Sequence, residues 1–135
     1  MHTITISTSK KQELIDITQE VKNIVSKSNV KEGVCFVYVP HATAGITINE
    51  NADPNIQTDI IKAMNDIIPE HNRYLHDSID NNAAAHIKSS IIGVSKTIPI
   101  KNNKLMLGTW QAIMFVELDG PRQNRRIIVS TLKSN

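Results

Sequence analysis

An α+β fold, a single-domain sandwich on a mostly antiparallel β-sheet with two or three helices, is what this chain predicts, on three observations. Short runs of β-branched and aliphatic residues recur along it, and the late runs are joined by turns too short for a parallel crossover. Stretches with helical spacing interrupt the strands before residue 93. A length of 135 residues supports one hydrophobic core and not two ordinary ones, so residues 1–135 are read as one domain.

Thr3 to Ile6 alternates with period two and is β-branched throughout, which predicts a strand. Ser7 to Lys11 reads as a turn and Glu13 to Ile17 as the returning strand. Leu14, Ile17, Val21, Ile24 and Val25 also share a helical face, so a helix is placed from Thr18 to about Ser28–Asn29, capped by Asp16 or Thr18. Lys31-Glu32-Gly33 is a turn, and Val34 to Val39 is a near-continuous apolar strand of the fully buried kind. Thr47 to Asn49 is a shorter extended segment.

Asp53 as N-cap and Pro54 at the first helical position open a second helix that runs to about Ile68, where Pro69 stops it. Its apolar face is Ile56, Ile60, Ile61, Met64 and Ile68. Residues 70 to 82 are polar and non-periodic, a loop longer than the usual connection and of the kind that often carries function. Ala83 to Ile92 reads as helix, closed by Gly93. Strands follow at Lys96–Ile100, Leu105–Leu107, Ala112–Glu117 and Arg126–Leu132, the first two joined at Asn102-Asn103, residues that tolerate left-handed backbone.

Apolar residues are 40% and charged residues 21% of the chain, the balance of a folded protein, and aromatics at 4% make the core aliphatic. A formal charge of +2 without a basic stripe or stacking platform predicts no nucleic-acid partner. Cys35, the only cysteine, sits inside Val34-Cys35-Phe36-Val37; it has no intrachain partner, packs as a small hydrophobe and favours a reducing, cytoplasmic setting. MHTITISTSKK lacks a signal peptide's apolar region, and no run approaches the roughly 18 residues of a membrane helix, so neither secretion nor a membrane partner is expected.

Three histidines stand out by context: His41 directly after the apolar strand in VYVPHATAGITINE, His76 in the long loop, and His86 in the third helix. Neutral imidazole is a common ligand for zinc and similar metals, although this spacing matches no compact motif, and such rings more commonly cap turns or pair with carboxylates. Glu50, Asp77, Glu117 and Asp119 are carboxylates able to orient a histidine or act as a base, whereas Asp53 reads first as a cap. Lys88 and Ser89, beside what is taken as a helix start at His86, are candidates for phosphate, as is Arg122 in the Asp119-Gly120-Pro121-Arg122 turn. The stretch from Arg122 to Arg126 otherwise reads as a solvated hairpin end. Trp110 and Gln111, in Leu107-Gly108-Thr109-Trp110-Gln111, are candidates for a pocket wall and a polar contact.

In order along the chain, DIT at 16–18, PHATAGITINENADP at 40–54, His76, AHIKSSIIGVS at 85–95, LGTWQ at 107–111 and E-x-DGPR at 117–122 resemble the YjbQ family of small proteins. Ala42 stands where relatives often have a second threonine, and Asn102-Asn103 replaces a more usual glycine-containing turn. The resemblance implies a cytoplasmic homotrimer with polar residues gathered in a cleft near a subunit boundary, and a secondary thiamine-phosphate synthase activity. It carries over His41, Thr43, Glu50, His76, His86, Lys88, Ser89, Trp110, Gln111, Glu117, Asp119 and Arg122 as cleft residues.

The expected function is therefore the joining of a pyrimidine methyl pyrophosphate to a thiazole phosphate, with loss of pyrophosphate. His41, His76 and His86 are expected to hold a divalent metal, zinc or similar from the donor set, magnesium from the pyrophosphate. His41, Glu50, Glu117 and Asp119 are the expected catalytic groups, and Thr43, Lys88, Ser89, Trp110, Gln111 and Arg122 the expected contacts of a small phosphorylated metabolite. Two other readings stand beside it: a metal-dependent hydrolase or phosphatase, and a non-enzymatic trimer that binds a metal or metabolite.

Overall fold

The computed structural model describes residues 1–135. Its strands are β1 (His2–Ile6), β2 (Glu13–Asp16), β3 (Glu32–Tyr38), β4 (Ala44–Glu50), β5 (Ser95–Lys101), β6 (Lys104–Leu105), β7 (Gln111–Glu117) and β8 (Arg125–Lys133). The helices are α1 (Thr18–Lys27), α2 (Asn55–Ile67) and α3 (Ala83–Ile92), and a 3-10 turn occupies Leu75–Ser78 in the long loop. Five strands form one sheet in the order β1-β8-β3-β5-β6, and three form another in the order β2-β7-β4. Every pairing is antiparallel, as the short turns predict.

The alternation of each strand assigns its side chains to layers. Cys35, Val37, Ile98, Ile100, Ile127 and Val129 of the larger sheet meet Ala44, Ile46, Ile113 and Phe115 of the smaller, with Val21 and Val25 of α1, in one aliphatic core. The other face of the smaller sheet presents Leu14, Met114 and Val116 to Ala85 and Ile92 of α3 and to Ile60 and Ile61 of α2. The result is a sandwich of two sheets with two helices on the smaller one.

Local expectations fare unevenly, for physical reasons. Gly93 closes α3 with φ 89°, and Asn102 and Asn103 turn the β5–β6 hairpin at φ 53° and 60°. Thr18 does not cap α1; its hydroxyl accepts the Ile113 N–H at 2.8 Å and ties the helix to β7, while Asp16 accepts the Thr18 N–H at 2.8 Å. Helix α2 starts one residue later than expected, with Pro54 at the cap position and Asp53 accepting the Asn55 N–H at 2.9 Å. Gly33 belongs to β3 rather than to a turn, β4 is longer than expected and β6 shorter.

The largest departure is β3, expected to be buried on both faces. Cys35 and Val37 are buried, but Phe36 and Tyr38 are 41% and 37% exposed and stack on the outer face with ring centres 6.3 Å apart. Nothing in one chain covers that face.

Candidate functional site

His41 follows Pro40 at the point where β3 leaves the sheet. It shares a cleft of 330 Å³ with Ala42, with His86, Ser89 and Ser90 of α3, and with Gly93 and Val94. Gly45 makes the approach of α3 possible: a Cβ there would stand 2.8 Å from the Gly93 carbonyl oxygen, which accepts the Ile46 N–H at 3.1 Å. Any larger residue would push the end of α3 off β4 and open the cleft.

The second histidine pair lies beside it. His76, on the 3-10 turn, meets the His86 ring edge to face with centroids 4.7 Å apart. His76 Nε2 is buried and has no hydrogen-bond partner, since the Asp80 carboxylate at 3.7 Å is too far. Asp77, next to His76, accepts the Ala83 N–H at 2.9 Å and so anchors the start of α3. The long loop thus positions His86 at the cleft through the helix it caps.

His41 is the most constrained ring. Its Nε2 accepts the Arg126 N–H at 2.9 Å. Burial lowers its pKa, the Arg125 and Arg126 guanidiniums lower it further, and Glu117 opposes them, so the imidazole is held neutral.

These facts test the metal expectation. His41 Nε2 is already occupied as an acceptor, and no three His, Cys, Asp or Glu side chains converge as a ligand group. The three histidines are neighbours, but the donors present do not fit a three-histidine metal centre in one chain.

Several other candidates are taken up by the scaffold. Glu117 is fully buried and accepts five hydrogen bonds: from the Thr8 hydroxyl at 2.7 Å, from Arg125 Nε at 3.0 Å and Nη2 at 2.5 Å, and from the Leu118 and Asp119 N–H groups. Burial alone would raise its pKa, yet the bonds from Arg125, Thr8 and Asp119 hold it below the usual range. A carboxylate so saturated has no lone pair positioned for a substrate proton. Thr43, expected at substrate, receives Arg125 Nη2 at its hydroxyl at 3.0 Å and at its carbonyl at 3.2 Å.

Asp119 accepts from Lys11 Nζ at 2.7 Å, Asn82 Nδ2 at 2.9 Å and Arg122 Nη2 at 3.0 Å. Against the upward push of burial, those bonds hold its pKa down to about 2. Arg122, expected to hold phosphate, is tethered to Asp119 by its Nε as well. Ser89 lines the cleft, but its hydroxyl donates to the Ala44 carbonyl at 2.6 Å.

Lys88 is 1% exposed, and its ammonium donates to Asn65 of α2 at 2.5 Å. Burial pushes its pKa down, partly offset by Glu70 and reinforced by Lys11. Because α3 spans Ala83–Ile92, as expected, the helix start at His86 on which the phosphate reading relied is absent, and Lys88 is an interior helix residue. It therefore cannot meet phosphate as expected.

Glu50, Trp110 and Gln111 sit elsewhere. Glu50 faces Gln111 at one end of the β4–β7 ladder, and Ala44 faces Glu117 at the other. Six strand steps separate the two ends, about 20 Å. Trp110 is 67% exposed, and Gln111 Oε1 accepts the Gly108 N–H at 2.8 Å. Within one chain these three residues do not join the histidines.

Two groups escape the sequence reading. Arg125, read as part of a solvated hairpin end, is the buried centre of the Glu117–Thr43 network, and the Arg126 N–H sets His41. A larger concavity of 390 Å³ lies between α1 and the β5–β6 hairpin, lined by Gln19, Lys22, Asn23, Ser26, Asn103, Lys104 and Leu105. It contains no histidine or carboxylate, and its amides are mostly bonded to one another or to backbone.

Residues 2–134 match the family described as UPF0047 protein YjbQ-like. The chain is similar to a UPF0047 protein of Methanocaldococcus jannaschii, 52% identical over 118 residues, which make up 87% of this chain and 84% of that one. It is 45% identical over 123 residues to UPF0047 protein YugU of Bacillus subtilis, covering 90% of this chain and 92% of the other. Among solved structures, a YbjQ-like protein of unknown function from Sulfolobus solfataricus superposes with a TM-score of 0.96 at 39% identity, covering 98% of this chain and 96% of that one. An uncharacterised YjbQ/UPF0047 protein from Clostridium acetobutylicum gives 0.93 at 45% identity, covering 98% and 100%.

Proposed function

The chain belongs to the UPF0047 family of YjbQ-like proteins, and on that footing we propose that its His41–His86 cleft binds a small phosphorylated metabolite and supports ring joining of the thiamine-phosphate synthase type. The observation that carries the reading is the cleft itself, where a neutral His41, His86 and Ser90, whose hydroxyl donates to the His86 carbonyl at 3.1 Å, line one 330 Å³ space. Departure of pyrophosphate calls for hydrogen-bond donors and positive potential more than for a carboxylate base. The cleft offers imidazoles, with the exposed Arg126 within electrostatic reach of His41. A hydrolase using Glu50 or Glu117 as base is disfavoured, because Glu117 is saturated and Glu50 stands at the far end of the β4–β7 ladder. A divalent ion such as magnesium fits this reading as a companion of the substrate's pyrophosphate, not as a resident on three histidines.

A homotrimer is part of the proposal. Phe36, Tyr38 and Leu132 leave an apolar outer sheet face, and Trp110 is exposed besides. In the trimer a second copy brings Glu50, Trp110 and Gln111 to the histidines, since within one chain Glu50 and Gln111 stand about 20 Å along the β4–β7 ladder from its Ala44–Glu117 end. A cytoplasmic setting suits the buried free thiol of Cys35, whose pKa burial raises to about 11.

The test is incubation of purified protein with a pyrimidine methyl pyrophosphate and a thiazole phosphate, scoring joined product and released pyrophosphate alongside oligomer mass. Joined product is expected, with a loss of about 100-fold or more in His41→Gln and His86→Ala. Phosphate release from simple esters without joining would make the chain a hydrolase. Neither activity, with ligand still bound, would make it a binding protein.

A further inference from the structure

His41 is the candidate whose ring chemistry the backbone itself decides. The β3–β8 ladder ends at the Tyr38–Ile128 pair. Two residues on, the same register would set Pro40 against Arg126, and proline has no N–H to give the ladder. The Arg126 N–H is met instead by His41 Nε2 at 2.9 Å. A neutral imidazole has one acceptor nitrogen and one donor, so an accepting Nε2 leaves the proton on Nδ1.

The same loop is gripped a second time. Arg125, immediately before Arg126, is 6% exposed and binds both Glu117 oxygens. Its Nη2 also donates to the carbonyl and hydroxyl of Thr43, two residues beyond His41. Adjacent residues of β8 therefore hold His41 and Thr43 in one register.

Resting on the reading of the cleft as a phosphate site, we infer that Arg125 is the positioning residue that, through Thr43, fixes His41 as a neutral Nδ1–H donor, and that the cleft takes an anionic phosphate or pyrophosphate oxygen there and not a metal ion. An Nδ1–H gives an oxyanion a hydrogen bond and gives a cation no lone pair. The two neighbouring guanidiniums act in the same direction, since both repel a cation and attract an anion.

Long-range ¹H–¹⁵N correlation spectra of the full chain, with His41→Gln to assign the signal, read the tautomer directly. At neutral pH, His41 is expected to carry its proton on Nδ1, and added pyrophosphate is expected to shift that nitrogen. Thr43→Val keeps the side-chain volume but removes one anchor; the tautomer should become mixed and pyrophosphate affinity fall about fivefold. Thr43→Ser should restore both. Arg125→Lys, with amide spectra as the folding control, should move the tautomer the same way, because one ammonium cannot bridge Glu117 and Thr43 as a guanidinium does. His41 protonated on Nε2, or Thr43→Val with unchanged tautomer and unchanged pyrophosphate response, overturns the inference. If His41 and its variants behave as expected but pyrophosphate moves no histidine signal, the phosphate reading fails, and the oxyanion half of the inference fails with it.

Discussion

Two corners of this molecule contain groups able to do chemistry, and they differ in what is left over. Around Glu117 every strong polar group has a partner: Thr8, Arg125, Thr43 and two backbone N–H groups close the network. Around His41, His76 and His86, ring atoms remain without protein partners; His76 Nε2 is buried and unpaired, and no hydrogen bond occupies His41 Nδ1. The first corner holds the strand ends in place, and the second is positioned by it. Buried unpaired atoms also occur at Gln12 Oε1 and Asn82 Oδ1, but only at the histidines does unmet hydrogen-bonding capacity coincide with a titratable group, and that coincidence distinguishes the site from its support.

The contrast can be broken most forcefully at Glu117. Glu117→Gln leaves the Arg125 charge buried without a counter-ion and should cost about 3–5 kcal/mol in urea unfolding. His41→Gln should change stability by less than about 1 kcal/mol while abolishing the pyrophosphate response. A stable Glu117→Gln protein that has lost only activity would move the chemistry into the buried corner.

A smaller effect is expected at Asp119, whose folded pKa of about 2 lies below the ordinary carboxylate value. A group depressed on folding contributes stability that is fully present above its unfolded pKa, near 4, and is lost as pH falls through the folded value. The loss should amount to roughly 1–2 kcal/mol between about pH 4 and 2, and Asp119→Asn should flatten that part of the stability curve. An unchanged curve would mean that the contacts with Lys11, Asn82 and Arg122 contribute nothing net.

Smallest of all should be Lys88→Met, which keeps the long side chain and removes a buried ammonium held by Asn65. Stability within about 1 kcal/mol of the parent is expected, because relief of desolvation offsets the lost hydrogen bond. Loss of pyrophosphate binding in a stable Lys88→Met protein would return that amine to the site.

The fold was legible where a single residue type carries a backbone constraint. Gly93 ends α3, Asn102-Asn103 turn a hairpin, and Pro40 stops β3 and hands His41 to the sheet end. The exposure of Phe36 and Tyr38 was not legible, since a continuous apolar run reads as buried whether or not its outer face is covered. The site was half legible: His41 and His86 line one cleft and His76 touches His86. The roles of Glu117, Thr43 and Lys88 were hidden because their side-chain partners, apart from Arg125 for Glu117, come from 23 to 109 residues away in the chain. Arg125 was missed because a charged residue in a polar turn carries no local sign that its guanidinium is buried.

Perturbation of backbone amide signals by pyrophosphate separates the two corners most directly. The largest shifts should fall on Ala42, His86, Ser90 and Gly93 around the 330 Å³ cleft. Shifts centred instead on Lys11, Asp119 and Arg122, or on Lys22, Asn23 and Lys104 in the larger concavity, would contradict the placement of the site at the histidines.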